Sequence, residues 1–163
     1  LSVDMFALMI DSLSQVGFEH YEISNFAKSG LYSRHNTSYW LGDKYLGIGP
    51  AAHSFDGANR ASNVYSIHKY IEAVDKGAPA VELEVLDESA RYNDFILTGM
   101  RTMWGVDLTR LEQLFGQKYL DYCLRNSRKH IANKHLEMAD GKLTLSKDGI
   151  FISDAVMSDL MWV

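Results

Sequence analysis

Apolar residues recur at three- and four-residue spacing through the first seventeen positions. Phe6, Met9, Ile10, Leu13 and Val16 fall on one face, with Ser2 placed to cap and Gly17 to stop. This predicts an amphipathic helix. The period then switches: FEHYEIS (18–24) sets Glu19, Tyr21 and Ile23 against Phe18, His20 and Glu22, the alternation of a strand. Helix, glycine and strand in that order point to part of an α/β layer, and one strand needs neighbours to complete its ladder.

Periodicity is then lost. SNFAKSG (24–30) and RHNTSYWLGDKYLGIGPAAHS (34–54) are expected to run as loops with short extended pieces, YLGIG (45–49) and RASNVYS (60–66) being the best strand candidates, with a hairpin through FDGAN (55–59). A second amphipathic helix starts at Ser66, carries Ile67, Tyr70, Ile71 and Val74, and ends at Gly77 before Pro79. AVELEV (80–85) reads as a connector or short strand. After Asp87 the pattern is mostly helical: Tyr92, Phe95, Ile96, Gly99, Met100 and Met103 make one face, Leu108, Leu111 and Leu114 another, and Leu120, Cys123 and Leu124 mark a third helix. LEMADGKLTL (136–145) predicts a hairpin turned at Asp140-Gly141, and Ser146 caps a last helix through Ile150, Met157 and Leu160. The expected class is α+β, with a boundary near residue 85 that separates 1–85 from a winged-helix-like helical module over 86–163.

Composition narrows the functions. At 163 residues and 47% apolar the chain can build a real core, and a net charge of −5 with scattered basic residues argues against nucleic acid as a partner. Arg125, Arg128 and Lys129 on the third helix read as a solvated face. No apolar run approaches the roughly 20 residues that span a bilayer, and the expected setting is cytoplasmic. The numbering opens at Leu1, directly in helical pattern, which suggests a piece of a longer protein. The single cysteine, Cys123, cannot form an intrachain disulfide or by itself supply an iron-sulfur site, and its helical apolar position predicts a buried thiol.

Two stretches carry candidate chemistry. In GIGPAAHS (47–54), Gly47 and Gly49 allow backbone to approach a bound group while Ala51 and Ala52 leave room; the alternative is a strand end that turns tightly, with His53 an ordinary hydrogen-bonded histidine. In RHNTSYW (34–40), His35 stands beside Arg34 and Asn36, and Tyr39 and Trp40 can supply an aromatic wall. Neutral imidazole is a good ligand for iron and zinc, although a lone loop histidine also serves as a plain hydrogen-bonding residue. His130 and His135, five apart and about 140° around a helix, are expected to be solvated and not to face one metal.

YEISNFAKSG (21–30), RHNTSYW and YLGIGPAAHS, in this order and spacing, resemble the segments that follow the radical-SAM barrel in the HemW-type haem chaperones, relatives of oxygen-independent coproporphyrinogen III oxidase. GMRTMWGVDLTRLEQLFG (99–116) and LTLSKDGIFISD (143–154) are similar to that family's carboxyl-terminal domain. The resemblance implies that residues 1–85 hold the last helix-strand unit of the (β/α) barrel and its extension. It implies haem bound through His35-Asn36-x-x-Tyr39-Trp40, with His35 the iron ligand. Gly47, Ile48, Gly49, Ala52 and His53 would border the adenosine of S-adenosylmethionine. The [4Fe-4S] cluster of such proteins needs a Cys-x3-Cys-x2-Cys motif that this chain does not contain, so the fragment itself is expected to be inactive.

The implied partners are haem and a haem-acceptor protein, which a membrane could carry without any span in this chain. Decarboxylation of coproporphyrinogen III propionates is the alternative activity of the parent. A protein-docking role for the helical module is a third reading. Apolar faces at Phe6, Met9 and Leu13 and the edge of residues 18–23 are expected to lack partners, which favours self-association.

Overall fold

The computed structural model describes residues 2–78 and 80–163, without the side chain of Ser2. The expected Ser2 cap and the Pro79 exit therefore lie outside the described residues. The chain divides into two compact units, one made of residues 1–41 with 92–163 and the other of 42–91.

In the first unit, α1 (Ser2–Gln15) ends at Gly17, whose φ of +80° takes the chain out of the helix. Strand β1 (Phe18–Glu22) pairs antiparallel with β2 (Asn25–Lys28). SNFAKSG was expected to be loop, and four of its residues are a strand. Glu22 accepts from the Ser24 amide at 2.9 Å and from Asn25 Nδ2 at 2.5 Å, so a polar turn closes the hairpin where periodicity gives no signal. The register shifts between His20 and Glu22, which breaks the alternation and turns adjacent Tyr21 and Glu22 both inward. Next comes α2 (Arg34–Leu41), where a loop was expected. Ser33 starts it: Ser33 Oγ accepts from the Asn36 amide at 3.3 Å and its carbonyl from Thr37 at 2.9 Å. No residue of α2 is fully buried, so the helix has no apolar stripe to read.

The rest of this unit follows the predicted periodicity except at Met103 and Leu114, which were expected on the apolar faces and are exposed. The core takes Ile96 and Met100 from α4 (Glu88–Met100), Leu111 and Phe115 from α5 (Leu108–Phe115), and Tyr119 and Cys123 from α6 (Gln117–Ala132). These are four-residue steps along three helices. A three-stranded antiparallel sheet adds Val106, Leu143 and Leu136, in the order β6 (Val106–Asp107), β8 (Lys142–Leu145), β7 (Leu136–Ala139). Asp140 and Gly141 turn β7 into β8 at φ of +50° and +73°. The expected last helix is two: α7 (Lys147–Ile150), which Ser146 caps as predicted, and α8 (Ser153–Leu160), separated by the non-helical Ile152 at φ −123°, ψ 24°. Tyr92 donates to the Leu160 carbonyl at 3.0 Å, and Asn93 both donates to and accepts from the Trp162 backbone, at 3.0 and 2.7 Å, clasping the chain end to α4.

In the second unit, β3 (His53–Phe55), β4 (Arg60–Asn63) and β5 (Val81–Glu84) form an antiparallel sheet in sequence order. The predicted FDGAN hairpin joins the first two, and Asp56 Oδ1 holds its turn by accepting from the amides of Ala58 and Asn59 at 2.8 and 2.7 Å. YLGIG is not a strand: within it only Tyr45 bridges, to Phe55. Helix α3 (Ile67–Asp75) forms as expected, with Ser66 as its cap and Gly77 at φ +63° beyond its end. Among the described residues, no helix is long and apolar enough to cross a membrane.

Candidate functional site

Helix geometry sorts the HN-x-x-YW motif onto two faces. His35 and Tyr39, four apart, share one: both are exposed and their rings meet edge to face at 5.0 Å. Asn36 and Trp40 share the other. Trp40 is half-buried and lies under the Arg101 guanidinium at 4.8 Å, so it does not stand beside His35 as a second wall. Its indole N–H is shut off from water without an acceptor.

Arg101 is in turn fixed by Glu22. Its Nη2 and Nε donate to Glu22 Oε1 at 2.6 and 3.0 Å, and the Glu22 side chain is fully buried with all its partners supplied by the hairpin and by Arg101. Backbone bonds reinforce this junction: Ile23 N–H to the Arg101 carbonyl and Met103 N–H to the Tyr21 carbonyl, both at 3.0 Å. Beside it, Tyr32 donates to Glu19 and packs with Tyr21 and Trp104. Reading the sequence singled out neither Glu22 nor Arg101 as functional. The available signal was an arginine in an otherwise apolar GMRTMW and a glutamate on an inward strand. The cleft there, lined by His20, Glu22, Met100 and Arg101 among others, holds about 80 Å³. That is several-fold below the roughly 300 Å³ at which small-molecule pockets begin, so this cleft is too small to enclose such a ligand.

Gly47, Ile48, Gly49, Ala52 and His53 belong to the second unit. There the loop satisfies its own backbone: the Gly47 amide donates to Ser54 Oγ at 2.9 Å, the Gly49 amide to Tyr70 Oη at 3.0 Å, and Asn63 Nδ2 donates to the Gly47 and Gly49 carbonyls at 3.2 and 2.8 Å. A Cβ on Gly47 would stand 2.1 Å from the His53 carbonyl oxygen, so this glycine answers a close approach of the chain to itself. What faces out is apolar and aromatic: Ile48 is 82% exposed, and His53 is exposed with Ala52 half-buried beside it. The amides of Gly47 and Gly49 are already taken by Ser54 and Tyr70.

Cys123 is fully buried, as its apolar helical position predicts, and burial pushes its thiol up to about 11. His130 corrects the expectation of a solvated pair. It is 6% exposed and bonded to Asp159, and His135 lies beyond the end of α6, so the angle around a helix does not describe the two rings.

Residues 86–152 match the model of the HemN C-terminal domain. The chain is 31% identical over 134 residues to the haem chaperone HemW of Bacillus subtilis, covering 82% of this chain and 35% of that protein. It is 30% identical over 150 residues to the HemW of Mycobacterium tuberculosis strain H37Rv, covering 91% and 36%. The chain carries the carboxyl-terminal region of the HemW/HemN-like radical-SAM family. The mitochondrial radical S-adenosyl methionine domain-containing protein 1 of Bos taurus is 28% identical over a 167-position alignment, covering 91% of this chain and 36% of that protein. The solved coproporphyrinogen III oxidase (HemN) of Escherichia coli, described as a radical SAM enzyme, superposes with a TM-score of 0.73 over 98% of this chain and 40% of that one, at 16% identity. This last likeness is one of fold. The chain spans about a third of the length of the curated relatives it matches.

Proposed function

We propose that this chain forms the haem-facing part of a HemW-like protein that holds haem and hands it to an acceptor protein in the cytoplasm. The observation that carries the reading is His35, an exposed imidazole on a short helix, with Tyr39 edge-on at 5.0 Å and no hydrogen bond to its ring among the described residues. Haem bound there supplies an iron that takes one imidazole nitrogen. This chain's own residues do the rest: Tyr39 offers apolar area to the porphyrin edge, and Arg34, at the start of α2, can meet a propionate. The Gly47–His53 loop borders S-adenosylmethionine in the intact protein through Ile48, Ala52 and His53. The cluster's cysteines are not among the residues of this chain, whose one thiol is Cys123.

Haem titration of the chain and of His35→Ala tests this. Loss of the ligand should weaken binding and move the Soret band; equal affinity with an unchanged spectrum returns His35 to a surface histidine.

Oxidative decarboxylation of a coproporphyrinogen is the second reading. The fold likeness to HemN favours it, and at 16% identity that likeness carries the architecture and not the activity. Residues 86–163, read as a winged-helix-like module, serve either function as a protein-docking surface. In isolation the chain is expected to self-associate through α1, where Met9 is exposed as expected together with Val3, Met5 and Leu8; against expectation Phe6 packs edge-on on His20 and Phe151, Leu13 is half-buried, and β2 covers one edge of β1.

A further inference from the structure

The end of α6, the turn after it and α8 bring two imidazoles together away from α2. His130 Nε2 lies 2.9 Å from Asp159 Oδ2, and Lys129 Nζ stands 2.6 Å from the same oxygen. An Asp159 carboxylate ion-paired with Lys129 can only accept, so the 2.9 Å bond is donated by His130 Nε2. With Nε2 donating to Asp159, Nδ1 is the ring nitrogen left to take a guest. That Nδ1 is cut off from water and has no hydrogen-bond partner, and the same holds for Nδ1 of His135. A buried polar atom without a partner costs roughly 1–3 kcal/mol. Here there are two, on rings whose centres are 5.9 Å apart.

That separation suits a shared guest. A metal–nitrogen bond of about 2.0 Å, with about 1.1 Å from nitrogen to ring centre, keeps two imidazoles on one ion within about 6 Å of each other. A ligating histidine whose far nitrogen donates to a carboxylate is held in tautomer and orientation, as Asp159 holds His130. His135 is fixed through its backbone. Lys134 turns at φ +61°, its carbonyl accepts from Ser146 Oγ at 2.6 Å, and the His135 carbonyl accepts from the Ser146 amide at 3.0 Å. A Cβ on Gly149 would stand 1.9 Å from the His135 carbonyl oxygen, so the wall behind His135 is built for glycine alone.

We propose that His130 and His135 form a two-imidazole site for one copper(I) ion, bound through the two Nδ1 atoms with Asp159 orienting His130. The ion class follows from the ligand set. Zinc completes four positions, and among the described residues no three His, Cys, Asp or Glu side chains gather to supply them. Copper(I) is satisfied by two nitrogens where water is excluded. Binding places the His135 proton on Nε2, so no net proton need leave.

The test is an anaerobic titration of the 163-residue chain with copper(I) against a chromophoric chelator, with zinc(II) in parallel and X-ray absorption on the copper form. One copper(I) per chain with nitrogen-only scattering at two positions is expected, zinc binding more weakly. Asp159→Asn should cost roughly 10–100-fold in affinity. His130→Gln and His135→Ala should cost at least as much, and Cys123→Ser nothing. If buried His130→Gln fails to fold, half-buried His135→Ala decides between the outcomes, with a thermal melt to show that it is native. Unchanged copper affinity in native His135→Ala, sulfur in the coordination shell, or zinc binding as tightly at the same two rings overturns the proposal. So does the absence of any saturable site, which would leave the nitrogens to a buried water.

Discussion

Glu22 and Arg101, 79 residues apart, meet through two hydrogen bonds to one carboxylate oxygen, and the same guanidinium covers the face of Trp40. The strand hairpin, the end of α4 and helix α2 are thus tied at a single charged pair. Removing one partner of such a pair leaves the other without compensation, which costs roughly 3–5 kcal/mol at buried sites. Glu22→Gln is expected to lower stability in urea by about 3 kcal/mol. Arg101→Gln should cost less because its side chain is 26% exposed. The double variant should fall short of the sum by at least about 1 kcal/mol; additive losses would mean that the pair does not act as a unit.

Gly47→Ala probes whether the second unit rests on close chain approach. The added methyl carbon would meet the His53 carbonyl oxygen at 2.1 Å, so the loop and β3 must part. A loss of about 1–3 kcal/mol is expected, with faster hydrogen exchange at the amides of Gly47 and Gly49. Ile48→Ala, one residue on and exposed, should stay within about 0.5 kcal/mol. Equal effects from the two would show that the loop is not held by that contact.

Where an element buries a stripe, the sequence announced it. Tyr92, Ile96, Met100, Leu111 and Cys123 were readable as core because four-residue steps and burial coincide. Helix α2 was not, since its fold depends on a Ser33 cap and on a single indole under Arg101, and neither leaves a period. The bulge after His20 hid Glu22 in the same way: strict alternation assigns it a face, while the shifted register buries it beside Tyr21. Of the candidate site, the identities of His35 and Tyr39 were legible, whereas the separation of Trp40 onto another face needed the helix. His130 was misjudged because its partner, Asp159, comes from an element 29 residues on.

Cys123 gives a pH dependence with a definite sign. Burial raises its thiol from the ordinary 9.0 to about 11, so between those values the folded chain keeps a proton that the unfolded chain has released. Stability is therefore complete below pH 9 and falls as pH rises toward 11, by up to about 3 kcal/mol. Burial moves the Tyr92 hydroxyl in the same direction, which adds to the loss above pH 10. Urea midpoints at pH 8 and pH 10.5 measure the fall, and Cys123→Ala should flatten part of it. The native thiol should also resist iodoacetamide at pH 8 and react once the chain is unfolded; rapid native labelling would contradict its burial.

Exposed apolar residues on α1 predict how the isolated chain associates. Leu8 is 67% exposed and Met5 lies nearby on the helix at three-residue spacing, away from buried Ile10. Light scattering of the chain should show a dimer or larger species that Met5→Glu with Leu8→Glu returns to monomer. The same variant should keep the melting temperature within a few degrees, because neither side chain contributes to the core.

The two faces of α2 predict different failures for its aromatic residues. Trp40 packs under Arg101, so Trp40→Ala removes a contact worth roughly 0.5–2 kcal/mol and loosens the helix that carries His35. Haem affinity should then fall together with thermal stability, while the Soret position of the bound form stays that of the parent chain. Tyr39 touches the His35 ring and is 38% exposed, so Tyr39→Ala should weaken haem binding and lower the melting temperature less than Trp40→Ala does. With His35 as the proposed ligand, His35→Ala alone should shift the Soret band, because it alone would change the iron's bonding. Measuring all three variants by haem titration and by thermal melt separates ligand, wall and support. A Soret shift in Trp40→Ala equal to that of His35→Ala would mean that the indole, and not only the imidazole, faces the porphyrin.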